Sequence, residues 1–169
     1  IILPGVGAFG EAMKHLDDSG LTQTVKASAD GSRPFLGICL GLQMLFSSSE
    51  ESPGAKGLGV FDGTVRRFPH EKGLKVPHIG FNSVENVRHT GALSDVSDGT
   101  YFYFVHSYFV CCDDPGIVAA ETFYGSRFVS AVQKEKLLAC QFHPEKSGQA
   151  GLDLLVKFAE MCGGGNDAR

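Results

Sequence analysis

The chain has 169 residues, 43% of them hydrophobic and 20% charged, with a formal net charge of -4. That suffices for one globular domain with a sizeable core; the acidic balance argues against a nucleic-acid partner, and no apolar run approaches the ~20 residues that cross a bilayer. The cysteines at 39, 111, 112, 140 and 162 lack paired or zinc-binding spacing, which fits a reducing compartment better than a disulfide or metal framework.

The sequence opens inside an apolar strand, Ile1-Ile2-Leu3, with no turn or methionine before it, so the N-terminus is expected to be a truncation. After a break at Pro4-Gly5-Val6-Gly7, Ala12, Met13 and Leu16 have helical spacing, stopped by Ser19-Gly20. Leu21 to Ala29 reads as a second helix, closed by Asp30-Gly31. Phe35 to Ile38 then reads as a buried strand that meets Cys39 and passes at once into a helix-forming run. This helix carries Leu42, Leu45 and Phe46 on one face and turns Gln43 towards the cysteine. Ser47 to Gly54 is a polar loop by composition.

Cys39 lies two residues from Gly37 on one side and from Gly41 on the other. A side chain presented at the tip of a tight strand-to-helix turn needs neighbours without Cβ atoms, so that backbones can pass closely. The pattern is a nucleophile elbow. The helix beginning behind the sulfur is expected to lower the thiol pKa from about 8.5. A lone apolar-flanked cysteine is otherwise a buried inert thiol; the glycines decide for the nucleophile.

Beyond the loop the composition turns to β-branched and aromatic residues. Val60 to Phe68, Leu74 to Val87, Tyr101 to Val110, Ile117 to Phe123, Phe128 to Gln133 and Leu137 to Phe142 read as strands separated by Gly, Asp or Pro turns. The chain thus starts with a parallel-sheet rhythm and continues with an antiparallel portion on its edge. After His143-Pro144-Glu145-Lys146-Ser147 a last helix spans about residues 149–162, with Leu152, Leu155, Val156 and Ala159 expected on its inner face. Residues 163–169, rich in glycine, read as a disordered tail.

A cysteine nucleophile needs an imidazole to move protons and an acceptor to hold that imidazole's tautomer. Of the six histidines, His143 alone directly follows a buried-looking strand and precedes a carboxylate by two residues. Cys39, His143 and Glu145 make a plausible triad. Acyl transfer also needs backbone donors for an oxyanion. Leu40 supplies one amide, and the Pro4-to-Gly7 turn, at the end of the neighbouring strand, can supply another.

Pro4-Gly5-Val6-Gly7-Ala8-Phe9, Gly37-Ile38-Cys39-Leu40-Gly41-Leu42-Gln43, Pro77-His78-Ile79-Gly80, Phe104-Val105-His106-Ser107-Tyr108 and Gln141-Phe142-His143-Pro144-Glu145-Lys146-Ser147 together resemble the class I (triad) glutamine amidotransferases. Within that class they most resemble the glutaminase of imidazole glycerol phosphate synthase. The resemblance implies an α/β fold with a flavodoxin-like, mostly parallel sheet, an antiparallel extension and flanking helices. It occupies residues 1–162, with the family's first strand and helix missing. It also implies that Cys39 attacks the side-chain amide of L-glutamine, that His143 protonates the departing ammonia with Glu145 orienting it, and that water hydrolyses the glutamyl thioester.

By the same resemblance Gly5, Val6 and Leu40 form the oxyanion hole, and Gln43, Glu51, His106, Ser107 and Tyr108 hold glutamine. For His106, a hydrogen-bonded core histidine is an equally good reading. The family passes its ammonia to a (β/α)8 barrel cyclase, for which Pro77, Phe81, Tyr103 and Lys146 match the docking face. Gly5 and Gly7 would let the oxyanion loop flip. No cofactor, metal, nucleic acid or membrane is implied, and the setting is cytoplasmic, or a plastid for a fused form. Two residues depart from the family pattern: Phe81 where tryptophan is usual, and Phe109 where polar or basic residues are commoner. The alternatives are an amidotransferase domain of another biosynthetic pathway and a non-catalytic regulatory module of the same fold; a cysteine peptidase or γ-glutamyl hydrolase is more remote.

Overall fold

The computed structural model describes residues 1–69 and 73–163, and the expected tail lies outside the described residues beyond Gly163. In chain order the first elements are β1 (Ile2–Leu3), α1 (Phe9–Asp18), α2 (Thr22–Ser28), β2 (Phe35–Ile38), α3 (Leu40–Met44), β3 (Ser48–Ser49) and β4 (Gly63–Arg67). Next come β5 (His78–Ser83), β6 (Tyr101–His106), β7 (Tyr108–Cys112), β8 (Val118–Tyr124), β9 (Ser126–Lys134), β10 (Leu137–Cys140) and α4 (Gly148–Met161).

The main sheet is mixed, with the order β1-β2-β10-β9-β7-β4-β3 and β8 paired to β9, while β5 and β6 form a separate antiparallel ribbon. β1, β2 and β10 run parallel, with Leu3 opposite Gly37 and Cys140 opposite Ile38. β2 and β10 are buried at every position, as strands covered on both faces must be. Leu36, Ile38 and Leu138 turn to a core shared with Leu154 and Phe158 of α4. Phe35, Leu137 and Ala139 turn to the opposite core, shared with Phe9, Met13, Leu42 and Phe46.

The start of α1 has no capping side chain of its own. Its orphan amides are met across the chain: Phe9 N–H donates to Glu51 Oε2 at 2.7 Å and Gly10 N–H to Ser52 Oγ at 3.0 Å. Caps of this kind stabilise by about 1 kcal/mol each. They also fix the Pro4-to-Ala8 loop to the segment following the elbow.

Several expectations need correction. The stretch Tyr101 to Val110 is two strands, because the chain leaves the small sheet at Ser107 and enters the large one, where β7 pairs with β4. Only His78–Ser83 of Leu74 to Val87 is strand. The polar loop contains β3, which pairs parallel to β4 through main-chain bonds that are indifferent to composition. On α4, Leu152 is 53% and Val156 48% exposed and Ala159 faces out, whereas Gly151, Leu154 and Phe158 are buried and Leu155 partly so. Gly151 sets that rotation, because a Cβ there would overlap the Pro144 carbonyl. Close backbone approach thus outranks the count of apolar side chains.

The elbow glycines obey the same rule. A Cβ on Gly41 would fall on the Leu3 carbonyl, and one on Gly37 would stand 2.9 Å from Ala139 Cβ. Gly41→Ala is therefore expected to cost roughly 3–5 kcal/mol in urea unfolding. Gly20→Ala, at φ +73 with open space around it, should cost only about 1 kcal/mol; equal losses would refute the close-approach account.

Candidate active site

Cys39 joins β2 to α3 in a conformation that non-glycine residues avoid, φ 54 and ψ -107. It is pinned on both sides. Its N–H donates to the Cys140 carbonyl at 2.8 Å, and its own carbonyl accepts from Leu42 at 3.0 Å and Gln43 at 3.3 Å. The sulfur therefore emerges at the carboxyl end of the parallel strands, where such sheets place their ligands.

A cavity of about 340 Å³ opens there, a size suited to a small metabolite. Cys39, Leu40 and His143 line it, with Val6 and Gly7 of the first loop. Gln43, Glu51 and the His106-Ser107-Tyr108 segment also reach it, and Pro77 and Lys146 stand on it. Of the remaining expected residues, Gly5 packs on the elbow, where an added Cβ would stand 3.0 Å from Leu40 Cβ. Glu145 backs His143 from outside. Phe81 and Tyr103 are outside the cavity lining, on the small sheet, with ring centroids 5.6 Å apart.

His143 is buried directly beyond β10. Its Nδ1 lies 2.7 Å from Glu145 Oε1; a carboxylate only accepts, so Nδ1 carries a proton, and in the neutral ring the lone pair is on Nε2. That Nε2 is buried and has no hydrogen-bond partner among the described residues. The backbone of His143 is held by β6 and by Ser147, a residue with no local signal of that role in the sequence. His143 N–H donates to the Tyr103 carbonyl at 2.9 Å. Ser147 Oγ donates to the His143 carbonyl at 2.6 Å and accepts from Tyr103 N–H at 2.9 Å.

The expected lowering of the Cys39 pKa is overturned. Burial pushes the thiol up to about 11, opposed by the Leu40 amide and the Gln141 side chain. One short helix cannot offset the loss of hydration around a buried anion. Burial thus favours the neutral thiol, and ionisation calls for a base.

Two side chains expected to contact substrate already have committed polar atoms. Gln43 Nε2 donates to the Tyr108 carbonyl at 3.1 Å and to Gln141 Oε1 at 3.0 Å. His106 Nδ1 lies 2.8 Å from the Tyr108 carbonyl, and its Nε2 lies 3.0 Å from His78 Nδ1. Asn82 Nδ2 in turn lies 3.3 Å from His78 Nε2 and donates to the Phe123 carbonyl at 3.0 Å. Because a carbonyl can only accept, donors run in one direction from Asn82 through His78 and His106 to Tyr108. Phe109 belongs to the aromatic layer around this pair, with Phe68 at 4.7 Å and Phe128 at 5.9 Å between ring centroids. Its apolar character fits that seat.

A cysteine on a strand-to-helix elbow, sharing one cavity with a histidine-carboxylate pair at the carboxyl ends of a mixed α/β sheet, is the arrangement of the class I glutamine amidotransferases. The family model described as "Glutamine amidotransferase class-I" matches residues 1–161. Solved structures agree in fold: a protein described as a glutamine amidotransferase superimposes with TM-score 0.68 at 23% identity, over 96% of this chain and 78% of that one. A glutamine amidotransferase from Thermotoga maritima gives 0.61 at 18% identity, over 94% and 62%.

Among relatives, the imidazole glycerol phosphate synthase subunit HisH of Chlorobaculum tepidum is 47% identical over 95% of this chain and 80% of its own length. The protein of that name from Aromatoleum aromaticum is 48% identical over 94% and 77%, and that of Methanocaldococcus jannaschii 47% identical over 95% and 80%. The chain belongs to the class I glutamine amidotransferase family and, within it, to the HisH subunits.

The wired histidine pair has a measurable consequence. Burial lowers His78 to about 4 and His106 to about 3. With folded-state values below the unfolded value near 6.5, the unfolded chain binds more protons as the pH falls below about 6.5. Stability should therefore fall from pH 7 to pH 5 by roughly 1.4 kcal/mol per pH unit per histidine at most. In urea titrations, His78→Gln should flatten that dependence; an unchanged slope would contradict a neutral buried pair.

Proposed function

We propose that the chain is the glutaminase of imidazole glycerol phosphate synthase, supplying ammonia from L-glutamine for histidine biosynthesis. The observation that carries the mechanism is the free Nε2 of His143, buried beside the cavity that exposes Cys39. Nε2 takes the thiol proton as sulfur bonds to the side-chain carbonyl carbon of glutamine. The carbonyl oxygen, now an anion, is met by the Leu40 amide and by an amide of the Gly5-Val6 loop. His143 returns its proton to the leaving nitrogen, and ammonia departs from a glutamyl thioester. Water, deprotonated by His143, then releases glutamate and restores the thiol. Glu145 holds the imidazole tautomer throughout.

Substrate selection follows from the committed atoms. Glu51 uses one oxygen for the cap of α1 and offers the other to the α-ammonium group. Ser107 and Tyr108 present backbone to the α-carboxylate, Gln43 keeps its carbonyl oxygen for the pocket, and His106 acts by fixing the Tyr108 carbonyl.

The partner is a (β/α)8 barrel cyclase. The outer face of the small sheet favours it: Phe81 is 58% exposed with Ile79 and Tyr101 beside it in the ribbon. Pro77 and Lys146 are exposed at the cavity rim. An apolar patch next to the cavity mouth suits a subunit that must receive ammonia without losing it to water. Among the described residues no helix is long and apolar enough to cross a membrane, and a cytoplasmic setting belongs to this reading.

Glutamate release should be weak for the protein alone and strongly stimulated by the barrel with its ligand bound. Cys39→Ser should abolish it in both states while leaving barrel affinity intact; residual turnover in that variant would remove the cysteine from the mechanism. Phe81→Ala should weaken barrel binding by about tenfold or more in calorimetry, and an unchanged Kd would move the docking face elsewhere.

A further inference from the structure

Gln141 has no part in the reaction set out above, yet it is fully buried beside the nucleophile. Its Nε2 is 3.6 Å from Cys39 Sγ, within hydrogen-bonding range for sulfur. Its Oε1 accepts from Gln43 Nε2 at 3.0 Å.

The amide orientation is fixed from outside. The Tyr108 carbonyl can only accept, so the Gln43 atom 3.1 Å from it is the nitrogen. That nitrogen also faces Gln141, so the Gln141 atom opposite it is the oxygen, and the Gln141 nitrogen is left pointing at sulfur. A backbone carbonyl thereby sets, through two side-chain amides, the polarity of the group that meets Cys39.

We propose that Gln141 is the donor that places and stabilises the Cys39 thiolate during turnover, with Gln43 as the residue that holds Gln141 in its donating orientation. A neutral thiol gains little from an N–H donor, whereas a thiolate gains a charge-assisted bond. The contribution thus appears when His143 removes the proton, and it opposes the desolvation that raises the thiol. The other groups that bear on the sulfur are the Leu40 amide and Lys146, which favour the anion, and Glu145, which disfavours it. Cys140 stands behind, fully buried and held as a thiol. None of these is altered by a change at position 141.

The proposal rests on the glutaminase reading for its consequence in turnover, but thiol reactivity tests it without glutamine. In the protein with its barrel partner, Gln141→Met keeps side-chain volume and removes the donor. Alkylation of Cys39 by iodoacetamide at pH 8.5, resolved by mass spectrometry from the other cysteines, should slow about tenfold. The acid limb of the kcat profile should move up by about one pH unit, with KM within about twofold. Gln43→Met should slow alkylation in the same direction, and the double variant should be no slower than Gln141→Met alone. An unchanged alkylation rate in folded Gln141→Met overturns the proposal. If that variant fails to fold, an unchanged rate in Gln43→Met overturns it instead. A wild-type protein without glutaminase activity would sink the functional reading and leave the alkylation test standing.

Discussion

The site depends on one strained residue. Cys39 occupies a backbone conformation that costs on the order of 1–3 kcal/mol, and nothing in its side chain offsets that cost. It persists because its amide is bonded to the next strand and its carbonyl starts a helix, while Gly37 and Gly41 remove the Cβ atoms that would collide. The sulfur is held in place by backbone, so the surrounding side chains are free to set its chemistry.

Those side chains take their orientation from backbone carbonyls. The Tyr108 carbonyl accepts from both Gln43 and His106, and the Tyr103 carbonyl accepts from the amide of His143. Both lie on the chain just before and after Ser107, where it passes from the small sheet to the large one. The strand switch therefore fixes the directions of the Gln43 amide and the His106 imidazole and holds the backbone of His143, whose ring is turned by Glu145. It also joins the exposed face of the ribbon to the inner wall of the cavity through a single stretch of backbone.

Much of this was legible in the sequence, and the reason differs by element. The elbow could be read because its glycines are demanded by local geometry, and the His143-Pro144-Glu145 turn because its tautomer logic is contained within three residues. The strand break at Ser107 could not, since Tyr101 to Val110 carries one unbroken β-forming composition and the partners of its two halves are distant in sequence. The face of α4 was misjudged because apolar residues were counted, whereas the Pro144 carbonyl selected the face with the smallest residue. Gln141 was visible as part of a motif, but its donor depends on Gln43 and Tyr108, which no local spacing connects to it. The thiol pKa was misjudged because burial is a property of the finished core and outweighs a helix of one turn.

The contact between the Leu3 carbonyl and Gly41 limits how this pocket can be redesigned. Any side chain at position 41 would push β1 outward, and with it the Pro4-to-Gly7 loop, so elbow and loop must change together or stay as they are. The Ser107 segment and the loop carrying Glu51 are tied to the elbow and its loop through side-chain hydrogen bonds, Gln43 to the Tyr108 carbonyl and the Phe9 amide to Glu51, rather than through a backbone overlap. Adaptation to a different acyl donor, by natural drift or by engineering, would have to proceed through those two segments, with the reacting centre carried along unchanged.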